Sequence, residues 1–222
     1  MEEREASPTS TARRRAMTVL YQTVSAPATG NAETESLRAE VGEALRKNKG
    51  KVAPTIEALI AKYAQANQEE FYPLVARLFQ LLGFDCRLSR RGRNYERADA
   101  TIVDNDGSVP IEIKSPGEEK EISVKGVRQA LENKVVLLAR KRYPVKRDDT
   151  SLVVGYEPPN DRSEVHELID DIEKVFNLRV GVVDFRSLLT LVLEVVASGK
   201  QIQLTSFKQL KGIIRVERSS PA

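Results

Sequence analysis

Two short segments flanking an aspartate–glycine pair constrain this chain more than any other feature. Residues 97–103 read Arg-Ala-Asp-Ala-Thr-Ile-Val and residues 109–114 read Val-Pro-Ile-Glu-Ile-Lys, with Asp106-Gly107 between them. Both segments carry β-branched residues, and Asp-Gly is a strong tight-turn signal, so the pattern predicts a hairpin. Side chains alternate faces along a strand. Ile111 and Ile113 therefore enter a core while Glu112 and Lys114 share the opposite face, with Asp99 across the hairpin from the Glu112 region. A cross-strand surface pair would also satisfy the pattern, but a carboxylate in the apolar frame Pro-Ile-x-Ile-x is an expensive choice for a buried strand.

The rest of the chain supplies the frame for that hairpin. Residues 1–33 lack periodicity and are expected to be a flexible segment, with one short helix around residues 13–24. Residues 34–66 read as a helical extension of two helices. The first carries Leu37, Val41 and Leu45 at helical spacing, and the second is opened by Pro54 and faced with Ile56, Leu59, Ile60 and Tyr63. Phe71, Leu74, Val75, Leu78, Phe79 and Leu82 then form one face of a longer helix stopped by Gly83. A strand over 84–88, the hairpin, a helix over 122–142, a strand over 151–156, a helix over 163–176, a strand over 178–185 and a helix over 187–197 follow. Such alternation predicts an α/β fold: a mixed β-sheet flanked by helices on both faces, with a core spanning 67–200 and a C-terminal segment over 201–222.

Composition narrows the chemistry. One cysteine, Cys86, and one histidine, His166, rule out an internal disulfide and leave no material for a cysteine metal cluster or a histidine-centred triad. Cys86 reads as a small buried hydrophobe and His166 as a surface residue. No stretch is apolar and long enough for a signal peptide or a membrane span, so a cytoplasmic protein is expected. What remains at the hairpin is two carboxylates and an ammonium. Carboxylates hold Mg²⁺, the ion polarises a phosphoryl oxygen and acidifies a water, and a lysine orients that water or steadies developing charge. That is a toolkit for phosphodiester hydrolysis.

Ala98-Asp99, twelve intervening positions and then Glu112-Ile113-Lys114 resembles the PD-(D/E)xK nuclease superfamily, over roughly residues 67–190. The order of the preceding amphipathic helix, the hairpin and the following helix matches the core of that family. The resemblance implies a restriction-endonuclease-like fold, Mg²⁺ as cofactor, Asp99 and Glu112 as metal ligands and Lys114 as the third catalytic residue. It also implies a further glutamate on the first helix, for which Glu69 and Glu70 are candidates and Glu70 is preferred. First-turn acids favoured by the helix dipole account for both equally well. The slot after Phe71, where some relatives carry that acid, holds Tyr72. Gln129 corresponds to a helix glutamine used near the active site in some branches, whose tyrosine four residues later is Asn133 here.

Five arginines fall within residues 87–97, with Asn94 and Tyr95 among them, directly before the strand of Asp99. Arg87, Arg90, Arg91, Arg93, Asn94 and Tyr95 are therefore candidate contacts to double-stranded DNA, as is Gln129. The expected function is a Mg²⁺-dependent endodeoxyribonuclease, of a type II-like restriction or phage-defence kind, that pairs as a homodimer to cut both strands. The rivals are a repair or recombination nuclease of the same fold, resolvase-like or Mrr-like, a DNA-binding protein that has lost the chemistry, and an α/β regulator with an accidental motif.

Overall fold

The computed structural model describes residues 31–89, 97–140 and 144–216, and the backbone of residues 15–16 and 21–22. The elements run β1 (Arg15–Ala16), β2 (Tyr21–Gln22), α1 (Ala32–Lys47), α2 (Val52–Lys62), α3 (Gln68–Leu81), β3 (Cys86–Leu88), β4 (Ala100–Ile102), β5 (Val109–Lys114), α4 (Val124–Leu138), β6 (Thr150–Gly155), α5 (Val165–Phe176), β7 (Arg179–Asp184), α6 (Phe185–Ser198), β8 (Gln201–Ile202), α7 (Thr205–Lys208) and β9 (Gly212–Arg215). Seven strands form one sheet in the order β1-β9-β7-β6-β5-β4-β3. β3, β4 and β5 are antiparallel, whereas β5, β6, β7, β9 and β1 run parallel. β2 and β8 make a separate antiparallel pair.

Helices cover both faces, so the central strands are apolar on both sides. α1, α2, α3 and α6 pack on one face, over Ile111, Ile113, Leu152 and Val154. α4 and α5 pack on the other, over Val153, Val180 and Val182. This is the α/β sandwich expected from the alternation of elements, and β5 spans the residues read as the returning strand.

Several expectations need correction. β4 is shorter than 97–103, and the strands of the hairpin are joined by six residues, 103–108, around Gly107 at φ +133°. Within the short helix expected near residues 13–24, the described residues 15–16 and 21–22 form the two-residue strands β1 and β2 instead, and the rest of that segment lies outside the described residues. Two residues per strand carry too little periodicity to be read, and their geometry is set by the partner strands. Residues 201–216 contribute β9 to the main sheet beside β7, together with Phe207 and Leu210 to the core. Leu37, Val41, Ile56 and Leu59 of α1 and α2 belong to that same core.

Candidate active site

Asp99, Glu112 and Lys114 meet on the face of the sheet that α4 covers. Ala100 pairs with Ile111, so one further step of the register sets Asp99 beside Glu112. The alternation along β5 sends Ile111 and Ile113 into the opposite core, and Glu112 pairs with Val153 on the α4 face. Burial is deep for charged groups, at 5% exposure for Glu112 and 6% for Lys114. Their survival as a pair follows from mutual satisfaction. Lys114 Nζ lies 2.9 Å from Glu112 Oε1, and Asn133 Nδ2 donates to Glu112 Oε2 at 2.8 Å. Asp99 accepts the backbone N–H of Ile113 through Oδ2 at 2.8 Å.

Two local features let the chain close around these groups. Gly155 is paired with Lys114, and a Cβ there would stand 2.3 Å from Ile122 Cγ1. Only glycine lets Ile122 fold over the strand end. Gly126, in the first turn of α4, leaves its face open to the Lys114 stem, whose Cγ and Cε would be 3.8 Å from an added Cβ.

Electrostatics follow from burial and crowding. Burial, then the nearby Glu112 carboxylate, push the Asp99 carboxyl up to about 7, against the Ile113 N–H and Lys114. Burial also raises Glu112, although Lys114 and Asn133 pull the other way. For Lys114 burial opposes the charge, but Glu112, Asp99 and Glu118 outweigh it, so its pKa lies above the ordinary lysine value. The ammonium is therefore charged and held among carboxylates.

A further carboxylate, Glu118, lies within electrostatic range of all three. It follows β5 in the turn 116–118 and is gripped from several sides. Its Oε2 accepts Ser115 N at 3.0 Å and Ser115 Oγ at 2.8 Å, Tyr72 Oη donates to it at 3.1 Å, and Gln68 Nε2 donates to Oε1. Burial alone would raise the Glu118 carboxyl, but these donors hold it below the ordinary value. Burial and the charges of Asp99, Glu118 and Glu112 push the Tyr72 hydroxyl well up. Sequence reasoning missed Glu118, although a serine followed three residues later by a glutamate, as in Ser115-Pro-Gly-Glu118, is a spacing at which the carboxylate can reach back to the serine N–H, as it does here.

The remaining candidates are spread more widely. Glu70 is not brought to the acids: with Glu69 it lines a cavity of about 760 Å³ between α1 and α3, beside Glu33, Glu40, Lys62 and Arg77. The reason is helical phase. Gln68 and Tyr72, four residues apart, take the side of α3 that meets Glu118, leaving Glu69 and Glu70 turned away. Arg87 is on edge strand β3, exposed and bound to Asp85 through Nε at 2.9 Å. Gln129 is on α4 one turn before Asn133, and its buried Oε1 has no hydrogen-bond partner among the described residues. Arg90, Arg91, Arg93, Asn94 and Tyr95 lie outside the described residues. His166 is half-buried with an enclosed Nε2 rather than a surface side chain, while Cys86 is fully buried as expected.

The donor set suits Mg²⁺. Two carboxylates supply hard oxygens, no donor among the described residues reaches Asp99 Oδ1, and Mg²⁺ characteristically takes one or two carboxylates and keeps several waters. Among the described residues no three acidic, histidine or cysteine side chains form a closed metal cage, so such an ion would rely on water and substrate oxygens for its other positions.

The fold is a restriction-endonuclease-like α/β fold. Two solved structures share it: restriction endonuclease FokI bound to DNA, at TM-score 0.53 and 14% identity over 84% of this chain, and restriction endonuclease FokI, at TM-score 0.54 and 14% identity over 89%. The chain spans 34% and 38% of the length of those two proteins. No family model matches the chain, and no curated protein matches it by sequence. No helix among the described residues is long and apolar enough to cross a membrane.

Proposed function

We propose that this chain is a Mg²⁺-dependent endodeoxyribonuclease, of a type II-like restriction or phage-defence kind, whose nuclease core is centred on residues 67–200 and completed by α1, α2 and β9. One observation carries the reading: the gathering of Asp99, Glu112 and Lys114 on one sheet face at the end of β5, in a fold shared with a restriction endonuclease. Asp99 and Glu112 would hold the metal. When bound, Mg²⁺ supplies Lewis acidity at the phosphoryl oxygen and a more acidic water. Asn133 holds Oε2 of Glu112 and so fixes the rotamer of that carboxylate. Lys114 donates from Nζ to the attacking water or to a non-bridging phosphate oxygen, and its charge offsets the negative charge that develops there. The latch of Glu118 to Tyr72 and Gln68 ties the turn after β5 to α3, so that Lys114 is carried on a fixed strand end.

Double-stranded DNA is the partner, and the segment 90–96, with Arg90, Arg91, Arg93, Asn94 and Tyr95, is its backbone contact. FokI itself was solved bound to DNA. A homodimer would place two such sites on one duplex. The deciding experiment is incubation of supercoiled plasmid with the protein and Mg²⁺, then with EDTA. Nicked or linear product with Mg²⁺ alone supports the reading. Intact plasmid with Mg²⁺ and with Mn²⁺, at concentrations where the protein shifts DNA in a gel, overturns it in favour of a DNA-binding protein without the chemistry.

A further inference from the structure

The Lys114–Glu112 ion pair bears on how the site fills. Glu112 has one oxygen on the Lys114 ammonium at 2.9 Å and the other on Asn133 at 2.8 Å. The carboxylate is not waiting open. A carboxylate oxygen has a spare lone pair, but a divalent ion at about 2 Å from Oε1 would stand beside an ammonium already in contact with that same oxygen. Both partners are almost fully buried, so the repulsion between the two cations is poorly screened.

We propose that Lys114 is the resident cation of the site, and that a divalent ion binds Glu112 by exchange with the Lys114 ammonium rather than beside it. This rests on the metal-dependent reading above. Three features make the exchange feasible. Asn133 keeps Oε2, so the carboxylate does not rotate away when Oε1 is vacated. Gly126 has no side chain to confine the Lys114 stem, which lies in ordinary contact distance of α4. The displaced ammonium also needs an acceptor, since an unpaired buried charge is costly. Gln129, three residues past Gly126 and so on the same side of the helix, holds a buried amide oxygen with no partner among the described residues. The lysine thereby neutralises the acids in the metal-free protein and becomes available to the substrate only once the metal is in place.

The test is Mn²⁺ binding in the absence of DNA, by paramagnetic resonance of free Mn²⁺ with calorimetry alongside, on the full chain, with circular dichroism to verify folding. Lys114→Met should bind Mn²⁺ roughly tenfold or more tightly than wild type, the range by which a contacting opposite charge biases a carboxylate. Lys114→Gln, which keeps a donor without the charge, serves as the second variant and should also tighten binding. Lys120→Met removes the same charge from an exposed pair with Glu157 and should leave the affinity unchanged. Gln129→Met should weaken binding in wild type but not in the Lys114→Met background. Wild-type binding that does not tighten on removal of the lysine overturns the exchange alone, as does an equal loss from Gln129→Met in both backgrounds. Absence of Mn²⁺ binding in wild type and in both lysine variants overturns the exchange together with the metal-dependent reading.

Discussion

At the scale of single residues, the site is governed by what burial does to three charged groups. Asp99 is held up to about 7 by burial and by Glu112, whereas an unfolded aspartate titrates near 4. Its charged form is thus disfavoured by folding, with a cost that is absent below about pH 4, grows through that window and is complete above about pH 7. Asp99→Asn, which can still accept the Ile113 N–H, should therefore be more stable than wild type at pH 8, by on the order of 1–3 kcal/mol and with a higher melting temperature, with little difference at pH 4. A lower melting temperature at pH 8 would contradict this account. The same variant should lose DNA nicking while keeping DNA binding, as should Lys114→Ala. Because a metal competes with the proton on Asp99, Mg²⁺ affinity should climb as pH rises from 6 to 8, a trend that titration calorimetry would reveal. Asn133→Ala leaves Glu112 Oε2 without its donor, and weaker Mn²⁺ binding is the expected outcome.

At the scale of elements, two positions report how the framework carries the site. Lys134 of α4 is fully buried, its Nζ has no hydrogen-bond partner among the described residues, and burial lowers its pKa to about 8 despite Asp149 nearby. A lysine whose folded pKa lies below its unfolded value costs stability in full below about pH 8, and the cost fades toward pH 10. Lys134→Met should stabilise the protein at pH 7 by about 2 kcal/mol and by much less at pH 10, measured by urea unfolding. In the hairpin, Gly107 sits at φ +133° with Asp149 Oδ2 only 2.2 Å from where a Cβ would fall. Gly107→Ala combines that clash with backbone strain and should cost about 1–3 kcal/mol; an unchanged unfolding midpoint would show that the loop relaxes freely.

For the whole molecule, the helices before the hairpin are part of the packing rather than an appendage to it. Leu37, Val41, Ile56 and Leu59 share a core with Phe71 and Phe185, Tyr63 meets Phe185 edge-on at 6.0 Å, and Tyr156 Oη donates to Ile60 O at 2.8 Å. Removing residues 31–66 should expose that apolar surface and leave a chain that aggregates or melts well below the full-length protein. The proposed DNA contact belongs to this scale as well. Replacing Arg90, Arg91 and Arg93 together should weaken binding and reduce the slope of log affinity against log salt by roughly one unit for each phosphate left unneutralised. An unchanged slope would remove the 90–96 segment from the interface.

How much of this was legible beforehand depends on how local the cause is. Hairpin, strand alternation and helix periodicity are properties of neighbours in the chain, so the amphipathic faces of α1 to α3, the β5 alternation and the shared face of Glu112 and Lys114 could be read from residue order. So could the candidate acid Asp99, because a hairpin fixes which residues oppose each other. The sequence by itself therefore determined the α/β architecture and which three charged residues the hairpin brings together. It did not determine which turn of α3 faces them, since Glu69, Glu70 and Tyr72 differ only by rotation about a helix axis that packing sets. Nor could it show that Asn133 and Lys114 each take one oxygen of Glu112, that Glu118 is drawn in by α3, or that residues 201–216 complete the sheet. Those are contacts between segments far apart along the chain, decided by how two hydrophobic layers close over β5, and only the tertiary structure holds that information.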